Sequence, residues 1–179
     1  MKKTIIILTT AFTILFSGCG STQPDIPKVK TSQKFSVEKV SLTLKEKVKS
    51  DIVYHTQDEL QELLKKDVEK KLSDKELLSS EPSMNKLTIN VIYTRHFVGD
   101  ATPFPSDSLG YPHMDYQIEL HDGNKLLTTY NKKDLTYNGG FAMNLQVMGG
   151  GLRDKKYELE FINALANTIV ENIEELKNP

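Results

Sequence analysis

Apolar residues along this chain change pattern three times. From Thr4 to Phe16 they run almost unbroken, and from residue 20 to 34 they thin out among Ser, Thr, Gln and Pro. From Phe35 onward they return periodically. Val37, Val40, Leu42 and Leu44 alternate with Glu38, Lys39, Ser41 and Thr43, which predicts a strand over 35–44 with a candidate bulge near Val40. Leu60, Leu63, Leu64, Val68 and Leu72 recur at steps of three and four, with Lys65, Lys66, Glu69 and Lys70 opposite. That spacing predicts an amphipathic helix to about Leu78, with Ser73 a candidate break. The helix opens on Thr56-Gln57-Asp58-Glu59, a capping box.

Strict alternation of Leu87, Ile89, Val91 and Tyr93 with polar neighbours predicts a strand over 85–98. A long loop, 99–114, follows with Pro103, Pro105, Gly110 and Pro112. Tyr116, Ile118 and Leu120 mark another strand, and Asp122-Gly123 is a hairpin signal before the returning strand 125–130, which 134–137 can extend. The stretch 138–151 is apolar between two glycine clusters and reads as a flexible loop. From about Asp154, Leu159, Ile162, Leu165, Ala166, Ile169, Val170, Ile173 and Leu176 mark a long amphipathic helix. The order β, α, β, β, β, α predicts an α+β two-layer sandwich, a mainly antiparallel sheet with two amphipathic helices on one face.

The N-terminus reads as a leader. Lys2 and Lys3 precede the apolar run, and Ser17-Gly18 lead to Cys19. A run of about 13 residues is too short for a bilayer, which needs about 20. The Leu15-Phe16-Ser17-Gly18-Cys19 string resembles the lipobox of bacterial lipoprotein precursors, although Phe16 stands where Leu is usual. That resemblance implies removal of residues 1–18 and acylation of Cys19, including palmitate. The alternatives are an uncleaved anchor or a buried free thiol. Gly20 replaces the Asp that serves as an inner-membrane retention signal in enterobacterial lipoproteins, which favours the outer membrane, facing the periplasm. The expected organisation is a leader over 1–18, a lipidated cysteine and flexible linker over 19–34, and one domain over 35–179. A 15-residue coil spans about 20 Å, or about 50 Å when stretched.

Charge narrows the choice of partners. Two of the 23 Lys and Arg, and none of the 24 Asp and Glu, lie in the first 18 residues, so the remainder carries 21 positive and 24 negative charges, formally −3. That balance offers neither the basic face that nucleic acid requires nor a polybasic patch for anionic lipid. Cys19 is the single cysteine, so an internal disulfide is excluded.

The whole pattern is similar to a group of small bacterial lipoproteins of unassigned function, with a lipobox, a linker and a β-α-β-β-α domain. Cys19, Asp122-Gly123, Gly139-Gly140, Gly149-Gly150-Gly151 and the helix around residues 161–165 carry the likeness. It implies no enzymatic activity, and Cys19 is the single residue whose role it transfers.

His55, His96, His113 and His121 form no metal-ligand spacing on a helix, although His113 and His121 flank a strand and could approach each other with Asp107 or Asp122. Ser106, Asp107, Ser108 and His113 share a loop but no nucleophile elbow. Glu158 and Glu175 fall on helix faces read as exposed. Gly149-Gly150-Gly151 lacks the P-loop string and reads as a connector. No metal and no cofactor is expected.

Two apolar loops remain as candidate contact surfaces. Phe104, Leu109, Tyr111 and Met114 lie in the first, and Phe141, Met143, Leu145 and Met148 in the second. Either loop can face a partner or fold down to complete the core. The expected function is a membrane-anchored, non-enzymatic envelope lipoprotein docking on another envelope protein. A binding module for a lipid or glycan fragment is the alternative.

Overall fold

The computed structural model describes residues 31–81, 84–137 and 139–177. Cys19, the expected leader and most of the expected linker lie outside the described residues. The elements are β1 (Phe35–Glu46), α1 (Gln57–Asp74), β2 (Asn85–Arg95), β3 (His113–Asp122), β4 (Lys125–Thr136), α2 (Gly140–Met148) and α3 (Lys156–Lys177).

The strands form one open sheet in the order β1-β2-β3-β4. The β2-β3 and β3-β4 pairings are antiparallel, as the hairpin signal predicts. Gly123 takes the positive φ, 56°, that a primed two-residue turn needs at its first position. β1 and β2, in contrast, are parallel, because α1 carries the chain back across the sheet before β2 begins. The bulge in β1 lies between Val37 and Lys39. It switches the parity of the strand, so Val40 and Leu42 point to the same core as Phe35.

α1 buries Leu60, Leu64, Val68 and Leu72. α3 buries Phe161, Ile162, Leu165, Ala166, Ile169, Val170, Ile173 and Leu176. Both meet Leu87, Ile89, Val91, Ile118 and Leu120 on one side of the sheet, each side chain contributing about 1.5–3 kcal/mol by leaving water. The capping box forms as predicted: Thr56 Oγ1 accepts from Glu59 N, and the Glu59 carboxylate accepts from Thr56 N. The opposite face of the sheet carries Lys86, Thr88, Asn90, Thr94, Asp115, Gln117 and Glu119 and is half open to solvent.

Several boundaries differ from the periodicity. α1 ends at Asp74 rather than near Leu78. Leu77 N donates to Leu72 O and Glu76 N to Ser73 O, a Schellman closure that sends Leu77 into the core. β2 ends at Arg95, beyond which Phe97 pairs with Leu109 as a single bridge. The end of the expected linker is tied down, since Thr31 Oγ1 donates to Leu176 O and Ser32 N to Asn85 Oδ1. The expected flexible loop at 138–151 contains a helix, α2. Gly150 (φ 65°) terminates it, with Gly151 N donating to Gln146 O and Gly150 N to Val147 O. The glycines read as a connector thus serve as a helix C-cap. Among the described residues, no helix is long and apolar enough to cross a membrane.

Candidate functional site

α2 contains no charged residue. One side of it faces inward. Met143 is buried above Gly139, where a Cβ would collide with the methionine side chain. The Tyr111 hydroxyl meets Asn144 Oδ1. Tyr111, Tyr137 and Phe161 form a ring cluster with centroids 5.1–6.3 Å apart, which connects this attachment to α3. The other side faces solvent. Phe141 is 80% exposed, Leu145 53% and Met148 81%. Their i, i+4, i+7 spacing makes one apolar stripe on the helix.

The loop between β2 and β3 lies at the same end of the molecule. Leu109 N donates to Leu152 O, and Ser108 Oγ accepts from Leu152 N, so the segment after α2 is stitched to this loop. Phe104 at its tip is 89% exposed. Leu109 and Met114, expected on a contact surface, are core residues, and Tyr111 is half-buried beneath α2. By sequence, all eight candidates fall on two loops. The structure leaves Phe104, Phe141, Leu145 and Met148 outside and draws Leu109, Met114 and Met143 inside.

A buried ionic cluster braces this end. Arg95 Nε donates to Glu158 Oε1 at 2.9 Å, Arg95 Nη1 to Glu46 Oε2 at 2.8 Å, and Arg95 Nη2 to the carbonyl of His55. Glu158 Oε2 also accepts from the backbone N–H of His55 at 3.0 Å and lies 3.1 Å from its Nδ1. Burial works against the Arg95 charge, but Glu158 and Glu46 outweigh it and hold the guanidinium more firmly protonated than a free arginine. Glu158, read as an exposed helix residue, is fully buried. Periodicity could not reveal this, because the pairing arginine is 63 residues away. Glu175 is exposed as expected.

Tyr54 stacks beneath the guanidinium at 5.6 Å, and its hydroxyl donates to Asp107 O at 2.6 Å. Burial, then the nearby Glu158 charge, pushes its pKa up to about 12. The Asp107 carboxylate accepts from Asp51 N and Ser50 Oγ, which lowers its pKa. Ser106, Asp107 and Ser108 are therefore occupied in holding the loop and do not converge on His113. His113 and His121 stand near opposite ends of β3, about 27 Å apart at 3.4 Å per residue, so they do not approach each other. His113 instead packs against His96, with ring centroids 4.8 Å apart. Among the described residues, no group of three or more His, Cys, Asp or Glu side chains is placed to hold a metal ion.

The apolar end lies far from where the chain enters the domain. Thr31 is fixed to the C-terminal end of α3 at Leu176, whereas α2 and the Phe104 loop attach near the N-terminal end. Phe161 and Leu176 lie 15 residues apart on α3, which separates the two attachments by about 22 Å. A smaller apolar cleft of about 230 Å³ lies between α3 and β4, lined by Met114, Leu135, Tyr137, Ala164 and Leu165.

No family model matches the sequence, and no curated protein matches it. Solved structures are similar in part. A minor lipoprotein from Acinetobacter baumannii aligns at 16% identity over 80% of this chain and 93% of that one, with a TM-score of 0.43. A Xanthomonas campestris protein of family DUF330 aligns at 12% identity over 83% and 86%, with a TM-score of 0.45. Rare lipoprotein B from Shewanella oneidensis aligns at 12% identity over 75% and 94%, with a TM-score of 0.37.

Proposed function

We propose that this protein is a non-enzymatic envelope lipoprotein, held by acylated Cys19 at the outer membrane facing the periplasm, which docks on another envelope protein through the α2–Phe104 end of its domain. The observation that supports it is the separation of the two ends. Thr31, where the N-terminal segment joins, and the exposed Phe104, Phe141, Leu145 and Met148 lie at opposite ends of α3. An acyl anchor joined to the first end through a linker leaves the second end free to meet a partner. Several exposed apolar groups brought together in this way mark an interaction surface. The lipid-or-glycan reading has weaker support, because clefts of about 230 to 340 Å³ reach no further than the lower end of the ~300–1,000 Å³ range of typical small-molecule sites.

Photo-cross-linkers at positions 104, 141 and 148 in intact cells test the docking end, with position 126, at the β3-β4 turn, as the comparison. The expected result is a discrete protein adduct from the first three and none from 126. Equal labelling at all four positions would overturn the docking assignment. Cys19→Ser is expected to abolish incorporation of acyl label, and label retained in that variant would overturn the anchor.

A further inference from the structure

We propose that His96 and His113 form a binding site for a borderline divalent transition-metal ion such as Zn²⁺, Ni²⁺ or Cu²⁺, on the sheet face that no helix covers. This is independent of the docking end and of the lipid anchor. Thr94 pairs directly with His113 across β2 and β3, and His96 follows two residues later with the same parity. Both imidazoles therefore rise from the open face, His113 exposed and His96 half-buried. Their ring centres are 4.8 Å apart. Two imidazoles sharing one tetrahedral ion, with metal–nitrogen bonds of about 2.1 Å, hold their centres about 5 Å apart.

The surroundings favour a cation. The pocket around the pair, about 320 Å³, is lined by Lys47, Thr94, His96, His113, Asp115 and Asp134. Asp100 Oδ2 lies 2.6 Å from His96 Nδ1. Three carboxylates thus face one ammonium. The Asp100 contact fixes the His96 ring and leaves Nε2 as its ligating atom, the carboxylate–histidine arrangement that orients metal-binding imidazoles. Among the described residues the His113 ring has no hydrogen-bond partner, so both ring nitrogens are available. The protein supplies two nitrogen ligands, and water completes the shell. Imidazole ligation selects the Zn, Ni and Cu class over Mg²⁺ and Ca²⁺, which take oxygen ligands.

Calorimetric titration of the full chain in detergent, purified without a polyhistidine tag, tests the site with ZnCl₂ and NiCl₂. The expected result is one saturable site for each ion and none for MgCl₂. His113→Ala, at an exposed position, and His96→Ala should each weaken binding at least tenfold. Asp100→Asn should weaken it about 10–100-fold through loss of ring orientation. His121→Ala, at the far end of β3, should leave it unchanged. Cu²⁺ bound to the protein should give an electron paramagnetic resonance spectrum with coupling to two imidazole nitrogens, reduced to one in His113→Ala. No saturable binding, or binding that His113→Ala leaves intact while circular dichroism shows an unchanged fold, would overturn the proposal.

Discussion

Glu158 makes three hydrogen-bonding contacts from a position with no solvent exposure, and it joins three parts of the chain: β2 through Arg95, the entry to α1 through His55, and α3. Glu158→Ala would leave the Arg95 guanidinium buried with a single carboxylate partner, and should cost about 3–5 kcal/mol in urea unfolding. The paired substitution Arg95→Met with Glu158→Leu should cost less than Glu158→Ala alone, because it removes both charges instead of stranding one. A second residue-scale effect has the opposite sign. Glu76 is exposed and closes α1 at φ 56°, a left-handed conformation that a Cβ disfavours. Glu76→Gly should raise stability by about 0.5–1 kcal/mol, read as a higher urea midpoint at unchanged slope.

At the scale of elements, edges decide what periodicity cannot. β1 is a long edge strand, and α1 covers it. Gln61 Oε1 accepts from Leu42 N and Gln57 Oε1 from Leu44 N, two side chains one helical turn apart shielding two strand N–H groups. Replacing both by Ala should cost about 1 kcal/mol per lost bond and leave an edge open to pairing with other chains. Light scattering should then show association at protein concentrations where the unaltered chain remains dispersed. These glutamines lie on the polar side of the α1 pattern, so hydrophobic spacing assigns them to solvent. The same limit explains most of what the sequence concealed. Alternation in β2 and the 3–4 spacing of α1 and α3 each report one element's own buried face, and those faces were legible. The parallel β1-β2 pairing, the Arg95–Glu158 contact and the His96–His113 pair depend on where separate elements meet, and no local period encodes that. α2 escaped for another reason. Its nine residues carry apolar side chains on both the buried and the exposed sides, so no polar face signals a helix. The two apolar segments were legible by composition, but not which of their side chains point outward. Phe104, Phe141, Leu145 and Met148 are exposed and Leu109, Met114 and Met143 buried, and an apolar residue in a loop looks the same in either case.

Across the whole molecule, tyrosine ionisation is expected to set the alkaline limit of stability. Tyr54, Tyr93, Tyr111, Tyr116, Tyr130 and Tyr137 all have raised pKa values, burial being the largest cause in each. Negative neighbours add to it: Glu158 for Tyr54 and Tyr93, Glu175 for Tyr116 and Tyr130, and Glu160 for Tyr137. In the unfolded chain these phenols ionise near the ordinary value of about 10. In the folded protein Tyr54 retains its proton to about pH 12. As pH rises through that interval the unfolded state releases protons that the native state still holds, so unfolding becomes progressively more favourable. The contribution is fully present below about pH 10 and is lost as pH climbs toward 12. Urea midpoints should therefore hold nearly level up to about pH 9 and then fall with increasing steepness. Tyr54→Phe loses the hydrogen bond to Asp107 O and should be less stable at pH 8. Its decline between pH 10 and 12 should nevertheless be shallower, because one proton-linked group has been removed. An equal or steeper decline in that variant would show that the alkaline limit arises elsewhere than at Tyr54.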